Sequence, residues 1–258
     1  MKEYVNTFLH YRFLLGELVK KGIKLKYRRS YLGIVWSLLE PLLTMIVLTI
    51  VFGTLFGNKD RTFPVYILTG RLLYSYFSNS TSRALKSVRA NAGMIKKVYV
   101  PKYIYPLTRI MSSLINMLIS LIPLAAVALI SGLMPNKTYL LLPFPLLFLA
   151  LFCLGLGMLL ASAMVFFRDI QFLWGVLTTI WMYLTPIFYP ITALPETIQS
   201  VVKMNPLYFY VTFLRSCIID GLSPEPIMYV QCAAVALITL AIGAFTFKKS
   251  QDNFVLYL

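Results

Sequence analysis

The sequence predicts an all-α membrane protein with six transmembrane helices, an N-terminal amphipathic interfacial helix and a re-entrant helical hairpin between spans five and six. Three observations predict it. Of 258 residues, 59% are hydrophobic and 13% charged, against about 25% charged in soluble domains. A basic block with Lys20, Lys21, Lys24, Lys26, Arg28 and Arg29 runs into YRRSYLGIVWSLLEP over 27–41 and then a mostly apolar stretch to Gly57. Basic residues against one end of a bilayer-length segment fix a span and its direction, basic end inside. Lys and Arg are also distributed unevenly: seventeen of 24 fall in the arm, the loop after span two, the loop after span four and the tail, and five on the opposite side. Both termini are therefore expected in the cytoplasm.

The elements follow in order. Residues 1–30 form a cytoplasmic interfacial arm, in which Val5, Phe8, Leu9, Leu15, Leu18 and Val19 recur at helical spacing among Lys2, Arg12, Lys20 and Lys21; that pattern suits a helix lying in the interface. The first apolar run starts after about thirty residues with no small-residue cleavage site behind it, so it reads as a retained span. Charge, Pro or polar clusters end spans at 32–56, 63–82, 103–132, 139–167, 172–189 and 226–247. The chain is one transmembrane domain, with a cytoplasmic coupling loop at 83–101 and a hairpin at 190–225.

The hairpin is predicted from residues 207–219, too short to cross and too apolar for a hydrated loop. Pro195 opens a short amphipathic helix through Lys203, Asn205-Pro206 makes the turn, and 207–219 climbs back. Non-helical backbone at membrane depth needs protein or water around it, so the hairpin should border a pathway. An interfacial helix pair is the alternative.

Catalytic chemistry is poorly supplied. His10 is the one histidine, the nine carboxylates are scattered without metal-site spacing, and no phosphate-binding glycine loop occurs. No catalytic residue, metal or cofactor is expected on this chain. Cys153, Cys217 and Cys232 sit in apolar sequence as ordinary buried thiols. The net charge of +15 is spread between apolar runs, which excludes a nucleic-acid face.

Span two carries the sharpest signal. Arg71, Tyr74, Ser75, Ser78, Thr81 and Ser82 follow three- and four-residue steps. A guanidinium with hydroxyls on one helical face either lines a hydrated path or is held by neighbouring spans and the interface. Trp181, Tyr183, Phe188 and Tyr189 end span five, and Tyr208, Phe209, Tyr210 and Phe213 populate the hairpin. Such rings fit sliding sugars or an interfacial aromatic belt equally. Candidate path residues are Arg71, Tyr74, Ser78, Ser82, Trp181, Tyr189, Tyr208 and Arg215. In the 83–101 loop, Ala84, Leu85, Val88 and Ala92 form one face of a short helix among basic residues; lipid headgroups would explain the charge alone, whereas a docking helix for a soluble partner explains both charge and pattern.

Taken together, YRRSYLGIVWSLLEP over 27–41, Asn91 through KKVYVP over 96–101 to Pro106, FRDI over 167–170, TPIFY over 185–189, and Asn205-Pro206 with Arg215 resemble the membrane subunit of type-2 ABC exporters of bacterial polysaccharides such as O-antigen, capsule and teichoic acid. The resemblance implies a permease that pairs with a second copy of itself and docks two cytoplasmic ATPase subunits, which hold the ATP and Mg. Lipid-linked polysaccharide or teichoic-acid polymer is the implied cargo, and the bacterial cytoplasmic membrane, with its lipids, the location. Carried over by position, Arg83, Lys86, Arg89, Asn91, Lys96 and Lys97 resemble the coupling helix, and Arg168 with Asp169 the turn beside the ATPase. Gly70-Arg71-Leu72-Leu73-Tyr74 departs from the family, which often has an apolar residue and Trp after the glycine. A drug or lipid exporter on the same fold, and a membrane-embedded lipid-linked glycosyl transferase, are the alternatives.

Overall fold

Backbone groups in hydrocarbon must find hydrogen bonds within their own segment, so long apolar runs resolve into helices. The computed structural model describes residues 2–27, 31–57 and 60–257, with first-helix side chains described over 11–24. The Arg28–Arg29–Ser30 part of the basic block, and the side chains of Lys2, Val5, Phe8, Leu9, His10 and Lys26, lie outside the described residues. Among the described residues there are helices and no strand: α1 (Lys2–Tyr27), α2 (Trp36–Phe56), α3 (Phe63–Ala90), α4 (Ala92–Ile95), α5 (Ile104–Ile130), α6 (Pro143–Phe166), α7 (Ile170–Leu184), α8 (Glu196–Lys203), α9 (Pro206–Arg215), α10 (Pro226–Ser250) and α11 (Phe254–Tyr257). Gly33–Phe56, Ile104–Ile130, Lys137–Phe166 and Pro226–Tyr257 are long and apolar enough to cross a membrane.

Two boundaries differ from the sequence expectation. Span two was predicted to end at Ser82 with a separate coupling helix beyond. Instead α3 continues to Ala90 and absorbs Arg83, Lys86 and Arg89, because no Gly or Pro interrupts 71–92 and the helix propagates to Asn91. The separate helix, α4, is four residues long. Span five was predicted over 172–189; α7 is 15 residues and ends at Leu184, about 22 Å of helix. Pro186 stops it, since the residue before a proline is driven out of the helical region: Thr185 sits at φ −94°, ψ 129°.

The bundle is organised around α3, which touches α2, α5, α6, α7 and α9. Phe77 is fully buried and packs on the rings of Phe152, Trp174 and Trp181 at 5.9, 6.0 and 5.2 Å. Small residues set the closest approach, between α6 and α10. A Cβ on Gly243 would lie 1.9 Å from the Gly155 carbonyl oxygen, and one on Gly155 would lie 2.4 Å from the Thr239 oxygen. Only hydrogens fit at that crossing.

The basic segments gather at one end. Leu15 and Leu18 of α1 pack with Ile95, Tyr103, Ile104 and Tyr105. Val88, Val165, Phe247 and Phe254 bury one another beside them in the chain order of α3, α6, α10 and α11. Lys102 donates to the Gln251 carbonyl at 2.5 Å and completes that end. At the other end, Thr138 donates to the Cys217 carbonyl at 2.8 Å, tying the α5–α6 connection to the segment after α9.

The segment 190–225 contains two helices, α8 and α9, that meet at Asn205. The Asn205 side chain accepts from the Leu207 amide at 3.0 Å and caps α9, with Pro206 at its first position. Helix α9 runs into one π-helical turn, Ser216–Asp220, closed by Gly221 at φ +65°. Leu207, Tyr210, Val211, Phe213 and Leu214 are buried, and the Tyr210 hydroxyl donates to the Cys232 carbonyl of α10 at 3.0 Å.

Candidate functional site

A cavity of about 290 Å³ opens between α2, α3 and α5. From α3 it takes Arg71, Ser75, Asn79 and Arg83, spaced every four residues so that they climb one side of the helix. Opposite them α5 contributes Ser113, Asn116 and Ser120, and α2 contributes Ser37, Glu40 and Thr44. Two guanidiniums, one carboxylate and a set of hydroxyls and amides thus line a single hollow in a chain of otherwise apolar helices.

Local chemistry explains several of these positions. Pro41 in α2 has no N–H for the carbonyl four residues back. That carbonyl, on Ser37, instead accepts a hydrogen bond from the Ser120 hydroxyl of α5 at 3.0 Å. Ser120 also lies 3.0 Å from the Asn116 carbonyl, the Asn116 amide donates to the Ser112 carbonyl at 2.8 Å, and Asn79 donates to Ser75 at 3.0 Å. Arg71 points a guanidinium nitrogen at the Met182 sulfur, 3.7 Å away, a weak acceptor that leaves most of its five donors for other partners.

The structure divides the predicted span-two stripe. Arg71 and Ser75 face the cavity; Tyr74 and Thr81 face α7. The Tyr74 hydroxyl donates to the Thr178 carbonyl, and the Trp174 indole donates to Thr81 at 3.3 Å. Ser78 and Ser82 are partly exposed and outside the cavity lining.

The remaining path candidates gather elsewhere, around the broken end of α7. Arg215 is 8% exposed, with one guanidinium nitrogen donating to the Pro186 carbonyl at 2.7 Å and the other to the carbonyls of Tyr66 and Ile187 at 2.9 and 3.2 Å. Its guanidinium carbon lies 3.3 Å from the centre of the Tyr66 ring, a cation–π contact in place of a counter-ion. Gly70 makes room, since a Cβ there would stand 2.8 Å from the Arg215 nitrogen. Trp181 donates to Asn205 at 2.7 Å, Asn205 donates to Thr185 at 2.8 Å, and Tyr189 donates to the Tyr183 carbonyl at 2.6 Å. The Arg215 bonds to Pro186 and Ile187, together with the Tyr66 hydroxyl donating to the Tyr189 carbonyl at 2.9 Å, satisfy carbonyls of the irregular segment 185–189, which has no helix to do so. Tyr208 is half-buried against Phe209.

The coupling candidates lie mainly at the basic end. Lys86, Lys96, Lys97, Arg168 and Asp169 are exposed and Arg89 partly so; Asn91 donates to the Ser87 carbonyl at 2.7 Å. Arg83 alone among them lines the cavity. Among the described residues no group of three metal-binding side chains occurs.

Sequence reasoning missed the α5 side of the cavity. Ser112, Ser113, Asn116 and Ser120 recur at the steps used to find the α3 stripe, and that spacing within an apolar helix was the available signal.

The ABC-2 type transporter family description matches residues 14–219, most of the chain. The chain belongs to the ABC-2 type transporter family. Within it, this ABC-2 transporter chain is 27% identical over 256 residues to the O-antigen export system permease protein RfbA of Myxococcus xanthus, covering 98% of each chain. It is 28% identical to the capsule polysaccharide export inner-membrane protein CtrC of Neisseria meningitidis, over 76% of this chain and 75% of the other. To the polysialic acid transport protein KpsM of Escherichia coli it is 22% identical, over 91% and 92%.

Proposed function

We propose that this chain is the permease subunit of an ATP-driven exporter that moves a lipid-linked polysaccharide or teichoic-acid polymer across the bacterial cytoplasmic membrane. The observation that carries the reading is the hydroxyl-, amide- and guanidinium-lined cavity of α2, α3 and α5 in a chain related over nearly its whole length to an O-antigen export permease. A glycan sheds hydration only where donors and acceptors replace its water, and this lining offers both. Six crossings are assigned to α2, α3, α5, α6, α7 with the segment after it, and α10, with α8 and α9 re-entering from outside and both termini in the cytoplasm. α1 lies in the inner interface. Two copies enclose the path, and two ATPase subunits holding ATP and Mg dock on the end of the bundle that carries Lys86, Arg89, Lys96, Lys97, Arg168 and Asp169. ATP-driven closure of the ATPases pushes on the end of α3 and α4 and shifts the protomers.

In this mechanism Arg71, Ser75, Asn79 and Arg83 offer polar contacts to the polymer as it moves along α3. Arg215 and Tyr66 hold the segment after α7 in place by donating to the carbonyls of Pro186 and Tyr189, and Asn205 by donating to the Thr185 hydroxyl. The test is charge reversal at Arg89 and Lys96 together, with partner-ATPase co-purification and surface glycan as readouts. Loss of both at normal permease levels in the membrane is expected, through lost contacts and repulsion. Unchanged ATPase binding and export would overturn the docking assignment.

A further inference from the structure

A second cavity, of about 60 Å³, lies between α1, the junction of α3 with α4, and the start of α5. One water needs about 10–15 Å³ of such space, so the hollow accommodates a group of phosphate size. Its charged lining is Lys21 of α1 and Arg109 of α5, and Arg83 is within electrostatic range of Arg109. No carboxylate lines it, and the α1 carboxylate Glu17 pairs with Lys20 at 2.9 Å. Asn91 contributes an amide whose nitrogen spends one proton on the Ser87 carbonyl, leaving a second donor.

Tyr105 adds the deciding feature. It also lines the cavity, is 2% exposed, and its hydroxyl has no hydrogen-bond partner among the described residues. A buried hydroxyl without a partner carries a desolvation penalty that a ligand acceptor removes. Gathered cations likewise repel until an anion sits among them. Leu18 and Met94 provide an apolar flank. The location is the seam where α1 seats on α5: a Cβ on Gly22 would meet the Ser112 hydroxyl oxygen at 2.9 Å, and that hydroxyl donates to the Val19 carbonyl at 3.4 Å.

We propose that this cavity binds the phosphate of an anionic phospholipid headgroup, with Lys21 and Arg109 neutralising it and Tyr105 and Asn91 donating to its oxygens. A bound headgroup bridges α1, α5 and the α3–α4 junction, so anionic lipid fixes the position of the segment proposed to receive the ATPase. The binding itself does not depend on the transport reading, because it is measured on the permease without ATPase or cargo. Free inorganic phosphate shares the recognised chemistry and is the other source to distinguish.

The experiment follows thermal unfolding of the purified full-length chain in detergent while dioleoyl phosphatidylglycerol, dioleoyl phosphatidylcholine or inorganic phosphate is titrated. Ligand that binds only the folded protein raises its melting temperature with concentration. Phosphatidylglycerol should stabilise the wild type more than phosphatidylcholine does, and the combined Lys21→Gln and Arg109→Gln variant should need at least about tenfold more of it for the same shift. Tyr105→Phe keeps the ring and removes the unpartnered hydroxyl, so without lipid it should melt no lower than wild type yet gain less from phosphatidylglycerol. It carries the test if the charge variant fails to fold. A full effect from inorganic phosphate, with none added by lipid, would assign the site to the free anion. Equal stabilisation of wild type and Tyr105→Phe, or equal effects of the two lipids on wild type, would overturn the proposal.

Discussion

Replacing Arg215 by Met tests whether this buried cation holds the wall of the path or touches cargo. The substitution keeps much of the side chain's length but deletes donors to three carbonyls, those of Pro186, Tyr66 and Ile187. Hydrogen bonds from a charged donor contribute about 1.5–3 kcal/mol each, and removing the hub strands the acceptors around a side chain that is only 8% exposed. Part of that loss is returned because a buried charge with an unpartnered Nε no longer has to be desolvated. The net cost is therefore on the order of 3–5 kcal/mol, a large part of a typical folding free energy. For a chain this long, that lowers the melting temperature by on the order of 10 °C. Gly70→Ala should move stability the same way, because its Cβ would stand 2.8 Å from the Arg215 nitrogen. The double variant should lose less than the sum of the two, since both act on one contact. The assay is thermal unfolding of the purified permease, paired with export normalised to assembled protein. Wild-type melting together with abolished export in Arg215→Met would refute this account and make Arg215 a cargo contact.

Further predictions concern packing, topology and the α3 face. Gly243→Val should separate α6 from α10 and abolish accumulation in the membrane, because even a Cβ would sit 1.9 Å from the Gly155 oxygen; normal protein levels would count against the observed crossing. Cysteines at Leu194 and Ser223 should both label from outside the cell if α8 and α9 re-enter, whereas labelling of one from the cytoplasm demands another crossing. Arg71→Leu should reduce export per assembled exporter more than Ser78→Leu does, because Arg71 lines the cavity and Ser78 does not. The reverse order would move the path toward α7.

The elements that were legible in the sequence are those where one residue type has one local consequence. Gly57 ends α2 at φ +62° and Asn205-Pro206 starts α9; each follows from backbone sterics or a side-chain cap within a few residues. The extent of α3 was not legible from hydropathy, because Arg83, Lys86 and Arg89 mark where the apolar pattern stops and not where the backbone hydrogen bonds do. The stripe on α3 could be found from spacing, but its division could not. Tyr74 turns to the Thr178 carbonyl while Ser75, one residue on, lines the cavity, and only the positions of α5 and α7 decide which is which. Arg215 shows the same limit: an arginine in an apolar run signals a role, while its three carbonyl partners come from segments as far away as Tyr66.

The central claim, that the α2–α3–α5 cavity is a hydrophilic part of the transport path, is tested most directly by thiol labelling within it. Ser75→Cys and Asn116→Cys place reporters on facing helices of the lining, against a low background because Cys153, Cys217 and Cys232 are buried. In the assembled exporter both should react with a charged, membrane-impermeant thiol reagent, and the rate should fall when a polymer is held in transit. Ile46→Cys, on the exposed apolar side of α2, should stay unreactive throughout. Absence of labelling at Ser75→Cys and Asn116→Cys, or labelling that engaged polymer leaves unchanged, would contradict the account.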